Sequence, residues 1–86
     1  MGKMVVIFRI NPKEQELAEK CLEDIKTVKQ GEFRDAKMDS PGFGIKIVKA
    51  AYVLPDKVED AVEKLTQEIN SMDSVEDAEV EGMNLL

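Results

Sequence analysis

Chemistry needs reactive side chains at workable spacing, and this chain offers few. It has no histidine, a single cysteine (Cys21) and a single tyrosine (Tyr52). Without histidine there is no Ser–His or Cys–His pair, and the sequence brings together no polar cluster of the kind acid–base or nucleophilic catalysis requires. A lone thiol cannot close an internal disulfide, and no second thiol or histidine stands at metal-ligand spacing, so no metal site is expected. Cys21 falls on an apolar helical stripe, where a small buried hydrophobe is the expected role. Tyr52 falls on the inward face of a strand and is expected in the core, its hydroxyl at an edge.

The stretch that asks for a function is Asp39-Ser40-Pro41-Gly42-Phe43-Gly44-Ile45-Lys46. A large apolar ring stands between two glycines in a turn. Loops lie on the surface and phenylalanine is usually buried. Either Phe43 folds back over the sheet edge and caps the core, or it is an anchor for a partner, with the glycines letting the backbone approach closely.

The elements that must hold this turn follow from periodicity. Residues 3–10 alternate as a strand, with Val6, Phe8 and Ile10 on one face and Val5, Ile7 and Arg9 on the other. Asn11 as N-cap, Pro12 at the first helical position and Glu14 three residues after the cap predict a helix start. Leu17, Ala18, Cys21, Leu22, Ile25 and Val28 form its stripe, and Gly31 is expected to end it as a left-handed cap. A weaker strand is expected over 32–38 and a turn over 39–44. The strongest strand covers 45–54, with Val48, Ala50, Tyr52 and Leu54 on one face. Its other face, Ile45, Ile47, Lys49, Ala51 and Val53, has no aromatic residue. Asp56 with Glu59 in a capping box opens a second helix carrying Val58, Ala61, Val62, Leu65, Ile69 and Met72. Asp73-Ser74 breaks it, and Val75, Ala78, Val80 and Met83 mark a last strand.

The order β-α-β-β-α-β, with two amphipathic helices needing one sheet face, predicts an α+β ferredoxin-like two-layer sandwich. Its four-stranded antiparallel sheet has the order 4-1-3-2. A swapped dimer of the same units is the alternative arrangement. Eighty-six residues make one domain, 1–86, with no linker or repeat.

Charge sorts the possible partners. Residues 1–55 carry ten basic and eight acidic groups, a balance of +2; residues 56–86 carry two basic and ten acidic groups, a balance of −8. The second half repels phosphate backbones and anionic lipids and suits a basic surface, or it simply keeps the chain in solution. RNA recognition on this fold wants exposed strand aromatics in a basic surround, which the outer face lacks. No apolar run reaches the ~20 residues of a membrane span. Gly2 is followed at position 6 by Val where myristoylation wants Ser or Thr. A small domain without disulfides fits a reducing cytoplasm.

Gly42-Phe43-Gly44-Ile45-Lys46 entering a strand that ends at Pro55-Asp56-Lys57-Val58 resembles the guanine-nucleotide exchange domain of the elongation factor 1-beta family. The tail Glu79-Val80-Glu81-Gly82-Met83-Asn84-Leu85-Leu86 is similar too, and the length suits the archaeal members. The resemblance implies a guanine-nucleotide exchange factor that binds elongation factor 1-alpha and speeds GDP release during translation elongation. It implies protein contact without covalent chemistry, cofactor, direct nucleic-acid binding or membrane. Implied contact residues are Gly42, Phe43, Gly44, Ile45 and Lys46, with Met83, Asn84, Leu85 and Leu86. In the eukaryotic pattern the penultimate residue is a lysine aimed at the magnesium site; here it is Leu85.

A thousandfold acceleration needs about 4 kcal/mol of differential destabilisation, and one buried Phe supplies about 1.5–3. Val53, Met83, Asn84 and Leu86, expected near the same end as the turn, or acidic groups facing the GTPase, must then contribute. A small-ligand-sensing or oligomeric regulatory module of the same fold is the rival reading.

Overall fold

The computed structural model describes residues 2–42, 44–55 and 60–86. Four strands, β1 (Lys3–Pro12), β2 (Glu32–Gly42), β3 (Ile45–Pro55) and β4 (Val75–Leu85), form one antiparallel sheet in the order β2-β3-β1-β4. This is the ferredoxin-like order expected from the sequence. Helix α1 (Ala18–Asp24) and helix α2 (Ala61–Asn70) connect the strands. Phe43, the N-cap expected at Asp56 and its partner Glu59, and Val58 of the second stripe lie outside the described residues.

Alternation puts Val6, Phe8 and Ile10 of β1 and Val48, Ala50, Tyr52 and Leu54 of β3 on one buried face. Cys21 and Ile25 from the first helical segment and Ala61, Leu65 and Ile69 from α2 complete the core above it. Complete burial of each large aliphatic or aromatic side chain here contributes about 1.5–3 kcal/mol. Tyr52 sits at the centre. The rings of Phe8 and Phe33 approach it edge-on, with centroids 5.7 and 5.8 Å away. Its hydroxyl is not at an edge. It is fully buried and donates to the Ile25 carbonyl at 2.8 Å, satisfying an acceptor at the end of α1.

The first helix begins later than its apparent cap. Asn11 and Pro12 belong to β1, where Pro12 is buried and pairs with Val75, and the Asn11 side-chain amide donates to the Asp77 carboxylate at 2.6 Å. A strand partner offered to both residues outweighs local capping propensity. Helical backbone starts with a 3-10 turn, Gln15–Leu17, and ends with another, Ile25–Thr27.

Gly31 is not a left-handed cap; Gly44 is the described glycine with positive φ. At Gly31 a Cβ would come within 2.6 Å of Leu54 Cδ2, so close packing accounts for the glycine. The backbone N–H groups after the helix go elsewhere: Lys29 and Gln30 both donate to the Glu68 carboxylate of α2, at 2.9–3.0 Å.

β2 is longer than its pattern, running to Gly42 rather than stopping at Met38. Pro41 falls in the register shift between Asp39 and Gly42 of an edge strand, where proline is tolerated. Register shifts interrupt both edges, in β2 between Phe33 and Asp35 and between Asp39 and Gly42, and in β4 opposite Ile7/Phe8 and Asn11/Pro12. Such bulges spoil an edge as a template for further strands.

Candidate functional site

The turn lies at one end of the sheet. Gly42 pairs with Ile45, which leaves positions 43 and 44 as the connection. Gly44 has φ +77°, a left-handed value that L side chains adopt at a cost. Ile45 is 51 % exposed and Lys46 is exposed beside it. The described part of the turn thus combines a glycine in left-handed backbone with an exposed apolar residue, Ile45.

The base of the turn is held by a side chain that the sequence reading missed. The Gln15 amide faces the backbone of Lys46. Its Nε2 donates to the Lys46 carbonyl at 3.4 Å, and its Oε1 accepts the Lys46 N–H.

Met83, Asn84, Leu85 and Leu86 lie at the other end. β4 does not fray after Gly82: Met83 pairs with Val6, Asn84 with Val5 and Leu85 with Met4, and the Leu86 N–H donates to the Lys3 carbonyl at 2.9 Å. Met83 is 55 %, Leu85 75 % and Leu86 67 % exposed, a concentration of apolar surface on a secured strand end. Leu86, Val53 and Phe33 share an open hollow of about 550 Å³ with Lys3, Glu32 and Arg34.

The expectation that Val53, Met83, Asn84 and Leu86 stand near the turn is overturned by register. Val53 pairs with Val5 and Val5 with Asn84, so these residues do group together, but eight steps along β3 from Ile45 (45 to 53). At ~3.3 Å per residue the two groups are about 26 Å apart. The sheet brings together Gly42, Gly44, Ile45 and Lys46 at one end and Met83, Asn84, Leu85 and Leu86 at the other. It does not bring the two sets to each other.

Between them lies the outer sheet face. Arg9, Lys49 and Lys37 are cross-strand neighbours in one row that continues to Glu79 on β4. Lys49 Nζ is 3.4 Å from Glu81 and 3.7 Å from Asp39, so its charge is shared between carboxylates of both edge strands. Ile7, Ala51 and Lys49 floor a shallow depression of about 360 Å³ bounded by Asp35, Lys37 and Glu81.

Cys21 and Tyr52 lie away from both ends, in the core. Burial is the main cause that pushes the Cys21 thiol from 9.0 up to about 11; a hydrogen bond with Ser74 opposes this and the nearby Asp24 charge adds to it. A thiol held protonated in the core is a poor nucleophile. Burial likewise raises Tyr52 well above the usual phenol range, helped by Cys21 and Glu68. Among the described residues no group of three or more His, Cys, Asp or Glu side chains could hold a metal ion, and no helix is long and apolar enough to cross a membrane.

The sequence is similar to known proteins along most of its length. Residues 5–86 match the profile of the EF-1 guanine nucleotide exchange domain. The chain is 30% identical over 89 residues to elongation factor 1-beta of Archaeoglobus fulgidus, covering the whole of both chains. To elongation factor 1-beta of Methanocorpusculum labreanum it is 31% identical over 87 residues, covering all of this chain and 99% of the relative. Among solved structures, the C-terminal domain of the MgtC protein from Mycobacterium tuberculosis superposes with a TM-score of 0.52 at 12% identity, covering 100% of this chain and 88% of that one. At that identity the likeness concerns the fold alone.

Proposed function

The chain belongs to the EF-1 guanine nucleotide exchange domain family, and on that ground we propose that it promotes GDP release and GDP/GTP exchange on elongation factor 1-alpha in the cytoplasm, during translation elongation. The observation that carries this reading is the match of residues 5–86 to the exchange-domain profile, joined by two relatives aligned over essentially their whole length. The exposed apolar residues at the two ends, Ile45 at one and Met83 with Leu85 and Leu86 at the other, support contact with a protein. The factor works by binding the nucleotide-bound GTPase less well than the nucleotide-free one, so no bond is made or broken in the exchange factor itself. Gly42, Phe43, Gly44, Ile45 and Lys46 form one contact and Met83, Asn84, Leu85 and Leu86 the other. A single rigid factor then touches the GTPase at two places about 26 Å apart, the spacing set by the rise of β3. Leu85 itself offers no cation: either this end acts by apolar wedging, or Phe43 and the rest of the interface carry the exchange.

The test is release of a fluorescent GDP analogue from elongation factor 1-alpha with the protein added in substoichiometric amount. Faster release sustained over many GTPase molecules is expected. No acceleration by folded protein acting on an active GTPase overturns the reading and returns the chain to the ligand-sensing alternative.

A further inference from the structure

Gln15 occupies a place in the sheet that a strand has vacated. β1 follows β3 from Pro55 to Val48, its last partner being Ile10. Continuing that register would set Asn11 against Ile47 and Pro12 against Lys46. Proline has no N–H, so it cannot answer the Lys46 carbonyl, and at Pro12 β1 keeps only its pairing with β4, to Val75. The Lys46 N–H and C=O on that side would be left for solvent at the base of the turn. Gln15 supplies both partners from one side chain, its Nε2 donating to the Lys46 carbonyl and its Oε1 accepting the Lys46 N–H. The primary amide copies the donor–acceptor pair of a strand residue.

The arm carrying this amide is itself fixed. Gln15 opens the 3-10 turn in which the Leu17 N–H donates to the Glu14 carbonyl, and the preceding Lys13 N–H donates to the Ser74 carbonyl, both at 2.9 Å. Beyond Lys46 there is only Ile45 before the connection at 43 and 44. The clasp thus stands at the base of the connection, while burying almost nothing: Gln15 and Lys46 are both exposed.

We infer that Gln15 is a positioning residue for the exchange contact: its amide clasp on the Lys46 backbone pre-orients the Gly42–Ile45 turn for docking. The inference rests on the reading of that turn as a partner contact. A turn released from the clasp samples more orientations, and apparent affinity falls by the fraction that remains competent. The Michaelis constant of the exchange reaction for the factor rises while its saturating rate holds.

The experiment compares wild type, Gln15→Ala and Gln15→Glu by Lys46 amide protection in NMR hydrogen exchange, by thermal midpoint, and by release of a fluorescent GDP analogue from elongation factor 1-alpha. Gln15→Ala is expected to lower Lys46 protection about tenfold, the factor for one net hydrogen bond, with a midpoint lowered by no more than about 10 °C. The Michaelis constant rises several-fold at unchanged saturating rate. Gln15→Glu keeps the acceptor but sets a carboxylate against the Lys46 carbonyl. Its Lys46 protection factor is expected to recover as pH falls through the ordinary glutamate range, about 4.3, where the protonated acid again offers a donor. A large fall in midpoint with protection lost across the sheet, or a wild-type Michaelis constant in Gln15→Ala, overturns the inference while wild-type exchange stands. If wild type itself fails to accelerate release, the functional reading falls and this inference falls with it.

Discussion

Ile45 and Asn84 stand at opposite ends of one sheet: Ile45 opens β3, while Asn84 is level with Val53 eight residues further along it, through their common partner Val5. Substitutions this far apart, with no shared neighbours, add in free energy to within about 0.5 kcal/mol. Phe43→Ala should keep the fold and lower kcat/KM for exchange, and Leu85→Ser with Leu86→Ser should lower it independently. The triple variant should show the product of the two effects, measured as GDP-analogue release. A combined loss no larger than the bigger single loss would mean that only one end touches the GTPase.

Glu68 reaches from α2 to the chain leaving the first helix, where its carboxylate accepts the N–H groups of Lys29 and Gln30. Hydrogen bonds to a charged acceptor are stronger than neutral ones, but this site is partly solvated. Glu68→Ala should cost about 1–2 kcal/mol in urea unfolding. At about 4–8 °C per kcal/mol for a domain of this size, the midpoint should drop by roughly 5–15 °C. Lys29 and Gln30 should lose hydrogen-exchange protection more than the strands do. Equal loss across the whole chain would argue against a local latch.

Legibility in the sequence followed the range of the forces involved. Alternation in β1 and β3 is dictated by burial on one face, and Val6, Phe8, Ile10, Val48, Ala50, Tyr52 and Leu54 were all readable as core. Asn11 and Pro12 look like a helix cap in isolation, but β4 returns from more than sixty positions away (11 to 77) to pair with them, and no local rule carries that partner. Of the site, the glycine-flanked aromatic was legible because an apolar ring in a turn breaks a surface rule. The separation of its two halves was not, since it depends on register. Nor was Gln15 legible as the partner of Lys46, since that depends on where the 3-10 turn places its side chain.

Gly31 and Gly42 should respond unequally to the same change. A Cβ on Gly31 meets Leu54 Cδ2 at 2.6 Å and Leu65 Cδ2 at 3.4 Å, and both leucines are fully buried. Gly31→Ala should therefore force repacking and cost about 1–3 kcal/mol. A Cβ on Gly42 meets nothing within 4 Å, so Gly42→Ala should change unfolding free energy by no more than about 0.5 kcal/mol. Denaturant titration of the two variants decides this. Similar losses for both would show that backbone freedom, rather than contact with Leu54, explains Gly31.

The buried thiol makes stability fall on the alkaline side. Cys21 has its pKa raised, from 9.0 to about 11, chiefly by burial. The folded state therefore holds a proton that the unfolded state releases first, and stability declines as pH rises from about 9 toward 11. Two pKa units correspond to about 2–3 kcal/mol across that interval. Tyr52, also raised by burial, extends the decline above pH 10, where the unfolded phenol ionises. Below pH 9 neither group contributes a slope. Cys21→Ala should lower stability at pH 7 through the lost packing, yet flatten the fall between pH 9 and 10, leaving the Tyr52 portion above it. Urea midpoints at half-unit pH steps give the comparison. An unchanged slope in the variant would assign the alkaline transition to Tyr52 alone. Rapid alkylation of the native wild type at pH 8 would contradict a thiol that burial keeps protonated.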